Sequence, residues 1–411
     1  MFGAAGAPLE PGSPTRAEDA VSSRRGPDPM QKTLSIPPCP RSIRVSPQIT
    51  PYLRAVVLNG GSDLHIKPSR PPRVRIGGSL VPLEVEAMSP AAVDVLIRET
   101  MTAEMAAHFA AHHEADYALV VEGVGRFRVN VFQARGEVGA VLRLIGESPT
   151  PLHELGMPDV VRRLALEPRG LVLVTGPTGS GKSTTLAGMV DAVNESRPVH
   201  VLTLEDPIET IHEDKVASVT QREVGTDTGD WSTALRAAMR QDPDVILIGE
   251  MRDAETVRSA LSAAETGHLV LSTLHTKDAQ ETVGRIVEFF PAADHQQIRH
   301  ALASSLRGIV CQRLVTRSDG TGRIAVMEIA VNTPRLAEAI ATPDRTELIP
   351  EIVADGGFSD MQTFDQHLVD LVRRGEVSLE VATASSSRPH DFSVMLKRAG
   401  GEPARAGARV S

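Results

Sequence analysis

The sequence predicts an α/β protein in which a smaller α+β domain precedes a P-loop nucleotide-binding domain with a largely parallel sheet. Two observations predict the larger domain. An apolar run over 171–175 leads into a glycine-rich loop and a helical stretch, and further apolar runs alternate with helical stretches after it. A third observation, short alternating strands around two helical stretches upstream, predicts the smaller domain with a mostly antiparallel sheet.

The loop at 176–183 reads GPTGSGKS and matches the P-loop pattern in full. Its glycines let successive backbone N–H groups point at phosphate oxygens, and the helix that starts at Lys182 adds the positive end of its dipole. Lys182 would reach the β- and γ-phosphates, and the Ser183 hydroxyl would hold Mg²⁺. ATP and Mg²⁺ are therefore the expected cofactors. The residues expected to contact the nucleotide are Gly176, Pro177, Thr178, Gly179, Ser180, Gly181, Lys182, Ser183 and Thr184.

Composition narrows the expected partners and compartment. A formal net charge of −9 does not favour binding to nucleic acid or to an anionic membrane surface. Two cysteines in 411 residues suggest a reducing compartment. No apolar run approaches the length of a bilayer span, and the N-terminus lacks a hydrophobic signal segment. We therefore expect a cytoplasmic protein with no nucleic-acid partner and no direct membrane insertion.

Changes in composition predict the domain boundaries. Residues 1–47 are dense in Pro, Gly, Ser, Ala and Arg without periodicity and are expected to be disordered. The smaller domain is predicted over 48–145, and 146–152 form a linker stiffened by two prolines. The P-loop domain is predicted over 153–384, followed by a polar, Gly/Ala-rich tail at 385–411 that is also expected to be disordered.

In the smaller domain, alternation over 127–132 places Arg128 on the polar face of a strand. Arg126, Arg135 and Arg143 lie on or near the same sheet, either as a solvated face or as a phosphate-binding group. Strands are predicted over 63–67, 72–76, 115–121, 126–133 and 138–145, and helices over 90–99 and 103–113.

In the larger domain, apolar runs alternate with amphipathic stretches until Phe290, after which the pattern becomes helical. Strands are predicted over 171–175, 199–204, 216–221, 245–248 and 269–274. Helices are predicted over 182–194, 295–311, 336–353 and 364–373.

Carboxylates follow two of these predicted strands. Glu250 ends the run 242–250, where its carboxylate can reach the metal or the water shell of the metal. The run 203–209 carries Glu205 and Glu209, and one of the two is a plausible base that orients water for in-line attack on the γ-phosphate. A helix cap at Glu250 and solvated turn acids at 205–209 are the alternative interpretations.

Two histidines flank another predicted strand, in the run 266–276. Thr273 and His275 fall at the strand's end, where α/β folds place groups that face ligands. His268 precedes the strand. A structural role for each histidine stays open beside a role at the nucleotide.

Together, these blocks resemble the secretion-superfamily ATPases that power type II secretion and type IV pili. The likeness is greatest to the PilT-type retraction branch and covers about 49–381. The matching blocks are a Walker A motif at 176–183, an Asp box at 203–209, an atypical Walker B motif at 242–250 and a His box at 267–276, together with QREV at 221–224 and GEMRD at 249–253.

The resemblance implies a PAS-like N-terminal domain and a RecA-like P-loop domain, assembled as a homo-hexamer with nucleotide bound between the two domains. It implies that Glu209 is the general base and Glu250 the Walker B acid, and that His268 and His275 act as sensors. Arginines of the N-terminal sheet would reach the phosphates as fingers. The candidates are Arg128, Arg135 and Arg143.

The family also implies a place in the cell and a set of partners: the cytoplasmic face of the inner membrane, beside a pilus platform protein and the pilus base. Assembly ATPases usually carry a four-cysteine zinc module, which this chain lacks, so the resemblance favours the retraction branch. One stretch departs from that branch. At 335–342, Ala337 and Ala341 replace both arginines of the branch's helix motif.

Three other functions remain as alternatives. A pilus-extension or secretion motor belongs to the same class of enzyme. A nucleotide-binding regulatory subunit would not hydrolyse ATP, but the intact Lys182, Glu209 and Glu250 disfavour it. A nucleic-acid translocase is disfavoured by the acidic balance and by the single Trp and two Tyr available for base stacking.

Overall fold

A computed structural model of the protein describes residues 48–146 and 148–400. Residues 1–47, predicted to be disordered, and the last part (401–411) of the tail predicted to be disordered over 385–411 lie outside these residues. Within them, two β-sheets organise the chain, one of six strands and one of seven.

The first sheet is antiparallel throughout and has the strand order β3-β2-β1-β6-β5-β4. Its strands are β1 Asp63–Ile66, β2 Arg73–Ile76, β3 Ser79–Pro82, β4 Glu114–Val121, β5 Gly125–Ala134 and β6 Glu137–Ile145. Three helices accompany it: α1 Thr50–Leu58, α2 Pro90–Arg98 and α3 Ala103–His112. Burial alternates along β5, which leaves Arg128 half-buried on one face and Phe127 and Val129 in the core. The predicted α+β pattern is thus observed, with α1 as an additional helix.

The second sheet is parallel except for its edge strand β13 and has the order β13-β12-β7-β11-β10-β8-β9. Its strands are β7 Gly170–Thr175, β8 His200–Glu205, β9 Ser218–Glu223, β10 Val245–Ile248, β11 Leu269–Leu274, β12 Leu306–Thr316 and β13 Arg323–Val331. Every residue of β7, β10 and β11 is buried, as expected for strands covered on both faces. The carboxyl ends of the parallel strands share one edge of the sheet, and that edge carries the P-loop.

Helices cover both faces of this sheet, because its strands present apolar side chains on each side. They are α4 Asp159–Ala165, α5 Lys182–Ser196, α6 Trp231–Ala238, α7 Ala254–Glu265, α8 Ala279–Glu288, α9 His295–Ser305, α10 Pro334–Ala341, α11 Ile349–Asp355, α12 Phe364–Arg373, α13 Leu379–Ser385 and α14 Pro389–Arg398. None of the helices within 48–146 or 148–400 combines the length and apolarity required to cross a bilayer.

The helix predicted over 295–311 is wrong in its second half. Helix α9 ends at Ser305, and the chain continues as β12, which pairs in parallel with β7. A short apolar run in the sequence is compatible with either a buried strand or a buried helix. Residues 306–316 form a strand because they pair with β7. Strand β13 follows in what was predicted to be an entirely helical region.

Two further predictions fail near the C-terminus. The helix predicted over 336–353 is interrupted by a 3₁₀ turn at Pro343–Leu348, since proline cannot continue a helix. The segment 389–398, predicted as part of a disordered tail, forms α14. Its Phe392 and Leu396 lie four residues apart on one helix face and are buried.

Candidate nucleotide-binding site

The P-loop joins the carboxyl end of β7 to the start of α5, as predicted. The backbone at Gly176 and Gly181 has φ of +144° and +90°, a region that disfavours residues with a Cβ. A Cβ on Gly176 would also lie 2.3 Å from the carbonyl oxygen of Gln312. The glycines therefore allow both the turn of the loop and its close approach to β12.

Lys182 begins α5 and is buried. Its Nζ donates hydrogen bonds to the carbonyl oxygens of Gly176, at 2.9 Å, and Pro177, at 3.1 Å. Burial lowers the pKa of Lys182, while the nearby carboxylates of Glu250 and Glu209 act in the opposite direction. The amine is thus held inside the loop, with two carboxylates close enough to influence it.

Gln312 on β12 supports the P-loop, a role that the sequence does not predict. Its side-chain amide donates to the carbonyl oxygen of Ser180 at 2.8 Å, and its Oε1 accepts from the Thr185 hydroxyl at 2.8 Å. Only 2% of the residue is exposed. Because β12 was not predicted as a strand beside β7, nothing in the sequence placed this amide under the loop.

We expect Gln312→Met to weaken ADP binding about tenfold, since two buried polar groups would each lose a partner at a cost of about 1–3 kcal/mol. Titration with a fluorescent ADP analogue measures this. Gln362→Met is a matched control, because Gln362 donates to the Met327 carbonyl oxygen at 3.2 Å and does not contact the P-loop. If the two variants lose equal thermal stability and bind ADP equally well, Gln312 does not shape the loop.

Glu250 follows β10 and lies between the side chains of His275 and Arg252. Its Oε1 is 3.3 Å from Nε2 of His275, and its Oε2 accepts from Nε of Arg252 at 2.8 Å. The Thr273 hydroxyl donates a hydrogen bond to the carbonyl oxygen of Gly249 at 2.7 Å, and this bond connects the carboxyl end of β11 to that of β10. The predicted neighbourhood of Glu250, Thr273 and His275 is therefore observed.

Glu205 and Glu209 have different surroundings. Glu205 accepts hydrogen bonds from the Thr203 hydroxyl at 2.6 Å and the Gln221 amide at 3.1 Å. Burial raises the pKa of Glu205 in spite of these bonds. Glu209 is exposed and lies on the segment that follows β8. Of the two carboxylates, Glu209 is the one free to approach a bound water.

These groups surround one cavity of about 570 Å³. P-loop residues line it on one side, and carboxylates from the ends of β8 and β10 line the other. Among the predicted site residues, those that line the cavity are Thr178, Gly179, Gly181, Lys182, Ser183, Thr184, Glu205, Glu209, Glu250, His275 and Arg143. This size falls in the range of small-molecule and cofactor sites.

The three predicted arginine fingers differ in position. Arg143 on β6 lines the cavity, and its Nε donates to Asp63 on β1 at 2.8 Å. Burial alone would raise the pKa of Asp63, but hydrogen bonds from Arg143 and Ser62 lower it. Nε of Arg128 instead lies 3.6 Å from Oδ1 of Asp116. Arg135 is exposed at the β5–β6 turn and has a φ of +56°. The structure does not bring Arg128 or Arg135 to the cavity of their own chain.

We expect Arg143→Ala to lower ATP turnover by at least about tenfold, and Arg128→Ala or Arg135→Ala to lower it less. An arginine finger contributes about 10³ to 10⁵ in other P-loop enzymes, and Arg143 is the candidate that faces the P-loop. Steady-state phosphate release of the three variants tests this ranking. A deeper defect in Arg128→Ala or Arg135→Ala would instead favour a finger supplied between subunits, which mixing that variant with Lys182→Ala chains would restore.

His268 does not lie at the nucleotide site of its own chain, where the sequence predicts it. It precedes β11, and its carbonyl oxygen accepts from the backbone N–H of Gly170 at the start of β7. The P-loop follows the opposite end of β7, so His268 lies at the wrong edge of the sheet to contact the phosphates of its own chain. Its ring Nδ1 is instead 3.0 Å from the carbonyl oxygen of Ala263.

His212 lines the cavity and was not predicted. Burial lowers the pKa of His212 to about 4, which keeps the ring neutral. Within the part of the chain that the structure describes, its buried Nδ1 has no hydrogen-bond partner. The sequence feature that points to His212 as a site residue is its position three residues after Glu209.

A P-loop at the carboxyl end of a central parallel strand, with carboxylates at the ends of neighbouring strands, defines a P-loop nucleotide-binding protein. The chain belongs to the family described as "Type II/IV secretion system protein", whose model matches residues 42–381. The predicted resemblance to the secretion-superfamily ATPases, and within them to the PilT-type branch, is confirmed.

Three relatives illustrate the match. The chain is 44% identical over 344 residues to the type IV pilus retraction ATPase PilT of Pseudomonas aeruginosa, covering 84% of this chain and 99% of the relative. It is 42% identical to the type IV pilus ATPase PilU of the same organism, covering 84% and 90%. It is 42% identical to a twitching motility protein of Neisseria gonorrhoeae, covering 78% and 86%.

Solved structures give the same fold. A crystal structure of the pilus retraction motor PilT with bound ADP superposes with a TM-score of 0.78 at 40% identity, covering 84% of this chain and 99% of that one. The ATPase DotB of Legionella pneumophila superposes with a TM-score of 0.71 at 27% identity, covering 83% and 96%. The predicted fold class is confirmed.

Proposed function

We propose that this protein is a Mg²⁺-dependent ATPase that works as a homo-hexameric motor and drives the retraction of type IV pili. One observation carries the proposal: Lys182, Glu209, Glu250 and His275 line a single cavity above the P-loop. The relatives support the biological output, since PilT is named as a retraction ATPase and a second relative as a twitching motility protein.

The side chains present fit a magnesium ion. The Ser183 hydroxyl and the Glu250 carboxylate line the same cavity and are hard oxygen donors. Mg²⁺ usually binds one or two such groups together with phosphates of the substrate. When bound, the ion would neutralise charge on the phosphates.

The residues divide the work of hydrolysis. Backbone N–H groups of the P-loop and the Lys182 ammonium would hold the β- and γ-phosphates. The Glu209 carboxylate would accept a proton from the attacking water and orient it in line with the bond to be broken. Arg143 would stabilise the charge that develops on the γ-phosphate. His275 would act as a sensor of the position of the Glu250 carboxylate, because its Nε2 lies 3.3 Å from Oε1 of Glu250.

The cellular setting and domain plan belong to the same proposal. We place the ring on the cytoplasmic face of the inner membrane, against the pilus platform protein at the pilus base. Within the subunit, we assign 48–145 to a PAS-like domain, 146–152 to a linker and 153–384 to a RecA-like domain.

Deletion of the gene in the source organism tests retraction. We expect deleted cells to lose twitching and to accumulate surface pili, with both defects restored by the wild-type gene and neither by Glu209→Gln. Pilus counts by electron microscopy and colony-expansion assays measure this. Fewer surface pili would indicate an extension motor, and rescue by Glu209→Gln would indicate a regulatory subunit that does not hydrolyse ATP.

A second candidate, a pilus-extension or secretion motor, is favoured by one observation. In α10, Ala337 and Ala341 stand where the retraction branch resembled by this chain has arginines. Arg335 of the same helix pairs with Glu351 and Asp355 at 3.2 and 3.3 Å. The pilus counts above separate the two candidates.

A further inference from the structure

The segment that carries Glu209 is attached to the first sheet. We call residues 206–211 the acidic turn. Within it, the buried Ile208 donates its backbone N–H to Oε2 of Glu223 at 3.2 Å. Glu223 ends β9, and its Oε1 accepts from the Thr226 hydroxyl at 3.1 Å. The residue immediately before Glu209 is thus fixed by a buried carboxylate.

The same carboxylate pairs with an arginine of the first sheet. Nη2 of Arg126, near the start of β5, lies 3.4 Å from Oε2 of Glu223. The Glu223 side chain is 8% exposed and that of Arg126 is 24% exposed. Solvent and salt screen the attraction between two such partly buried charges less than that between charges on the surface. One oxygen of Glu223 therefore contacts both the acidic turn and the first sheet.

A second contact joins the other end of the acidic turn to the first sheet. Gly146, the residue after β6, accepts a hydrogen bond from the backbone N–H of Ile211 at 3.2 Å. It also forms an isolated parallel bridge with Thr210. Glu209 therefore lies between two links to the first sheet, one through Glu223 at Ile208 and one at 210–211.

Removing Arg126 would leave Glu223 as a buried charge without its cationic partner, which is costly. The carboxylate would then lose a charge-assisted contact and turn towards water. Such a turn weakens its hydrogen bond with Ile208, because Ile208 and Arg126 contact the same oxygen, Oε2. The position of Glu209 depends in this way on an arginine that does not line the nucleotide cavity.

We propose that Arg126 and Glu223 are a positioning pair that places Glu209 for hydrolysis and makes this placement depend on the position of the first sheet. The inference rests on the proposed function, in which Glu209 is the general base. It gives Arg126 a different role from the arginine fingers: Arg126 acts through the acidic turn and not on the phosphates.

Turnover of Arg126→Met in the full chain tests the pair, since methionine keeps most of the aliphatic stem. We expect kcat to fall about 10- to 100-fold, the range expected for a small misplacement of a catalytic group, while the KM for ATP and the affinity for ADP stay within about twofold. Arg126→Lys should recover part of the activity. Arg98→Met is the matched control and should leave turnover unchanged, because Arg98 pairs with Asp94 at 2.9 Å and lies over the Phe109 ring, both of which are outside the acidic turn.

A double-mutant cycle separates positioning from general destabilisation. If Arg126 acts through Glu209, Arg126→Met should cost almost nothing in a Glu209→Gln background. Amide hydrogen exchange gives a readout that does not require hydrolysis: exchange over 206–211 should be faster in Arg126→Met than in wild type or Arg98→Met.

The two proposals fail in different ways. A Glu209→Gln variant with wild-type turnover would overturn the proposed function, and with it the role of the pair. A defective Glu209→Gln variant beside a fully active Arg126→Met variant would overturn the pair alone. The pair is also overturned if Arg126→Met costs as much in the Glu209→Gln background as in wild type, or if exchange over 206–211 is unchanged.

Discussion

We expect Glu209→Gln to lower ATP turnover by at least about 10²-fold while ATP and ADP still bind. This is the usual scale for the loss of a positioned base, and Glu209 is exposed in the cavity beside the P-loop. Glutamine keeps the size of the side chain but cannot accept the proton of the attacking water. Phosphate release beside titration of a fluorescent nucleotide separates turnover from binding.

Glu205→Gln is the matched control for this result. Glu205 is a carboxylate of the same cavity, but Thr203 and Gln221 hold it in hydrogen bonds and burial raises its pKa. We expect a smaller loss of turnover than in Glu209→Gln. A deeper defect in Glu205→Gln would indicate that Glu205, and not Glu209, is the general base.

We expect Lys182→Ala to abolish hydrolysis and to weaken nucleotide binding without loss of the fold. The ammonium is the cationic side chain of the P-loop, and in phosphoryl transfer most of the catalysis comes from positioning and charge neutralisation. Glu250→Gln should abolish hydrolysis as well, with less effect on binding. Phosphate release, nucleotide titration and thermal melting measure the three quantities.

Lys397→Ala controls for the loss of a lysine, since Lys397 is exposed on α14, far along the chain from the P-loop. It should hydrolyse ATP at the wild-type rate. Wild-type turnover in Lys182→Ala or Glu250→Gln would refute the assignment of the site.

Local sequence patterns are sufficient to predict the central part of the nucleotide-binding site. The P-loop, β7, β10 and β11 were predicted because buried strands that run into a loop with strict residue requirements have few alternatives. The proximity of Glu250 and His275 followed from a general rule, that parallel strands gather their carboxyl ends at one edge. The same rule, applied to the residue before β11, would have placed His268 at the opposite edge.

Other parts of the site depend on contacts between distant segments. The position of Gln312 under the P-loop depends on β12 lying beside β7, and the apolar run that forms β12 is compatible with a helix or a strand. No sequence pattern distinguishes the roles of Arg126, Arg128 and Arg143 in the first sheet. Their partners differ, namely Glu223, Asp116 and Asp63 respectively, and only the folded chain brings each pair together.

Phosphate release by the purified 411-residue chain tests most directly the claim that this cavity hydrolyses ATP. We expect many turnovers per chain with ATP and Mg²⁺, and none when EDTA removes the metal or when Lys182 is replaced by alanine. A chain that binds ATP with Mg²⁺ and releases no phosphate would contradict it, and would favour a nucleotide-binding regulatory subunit.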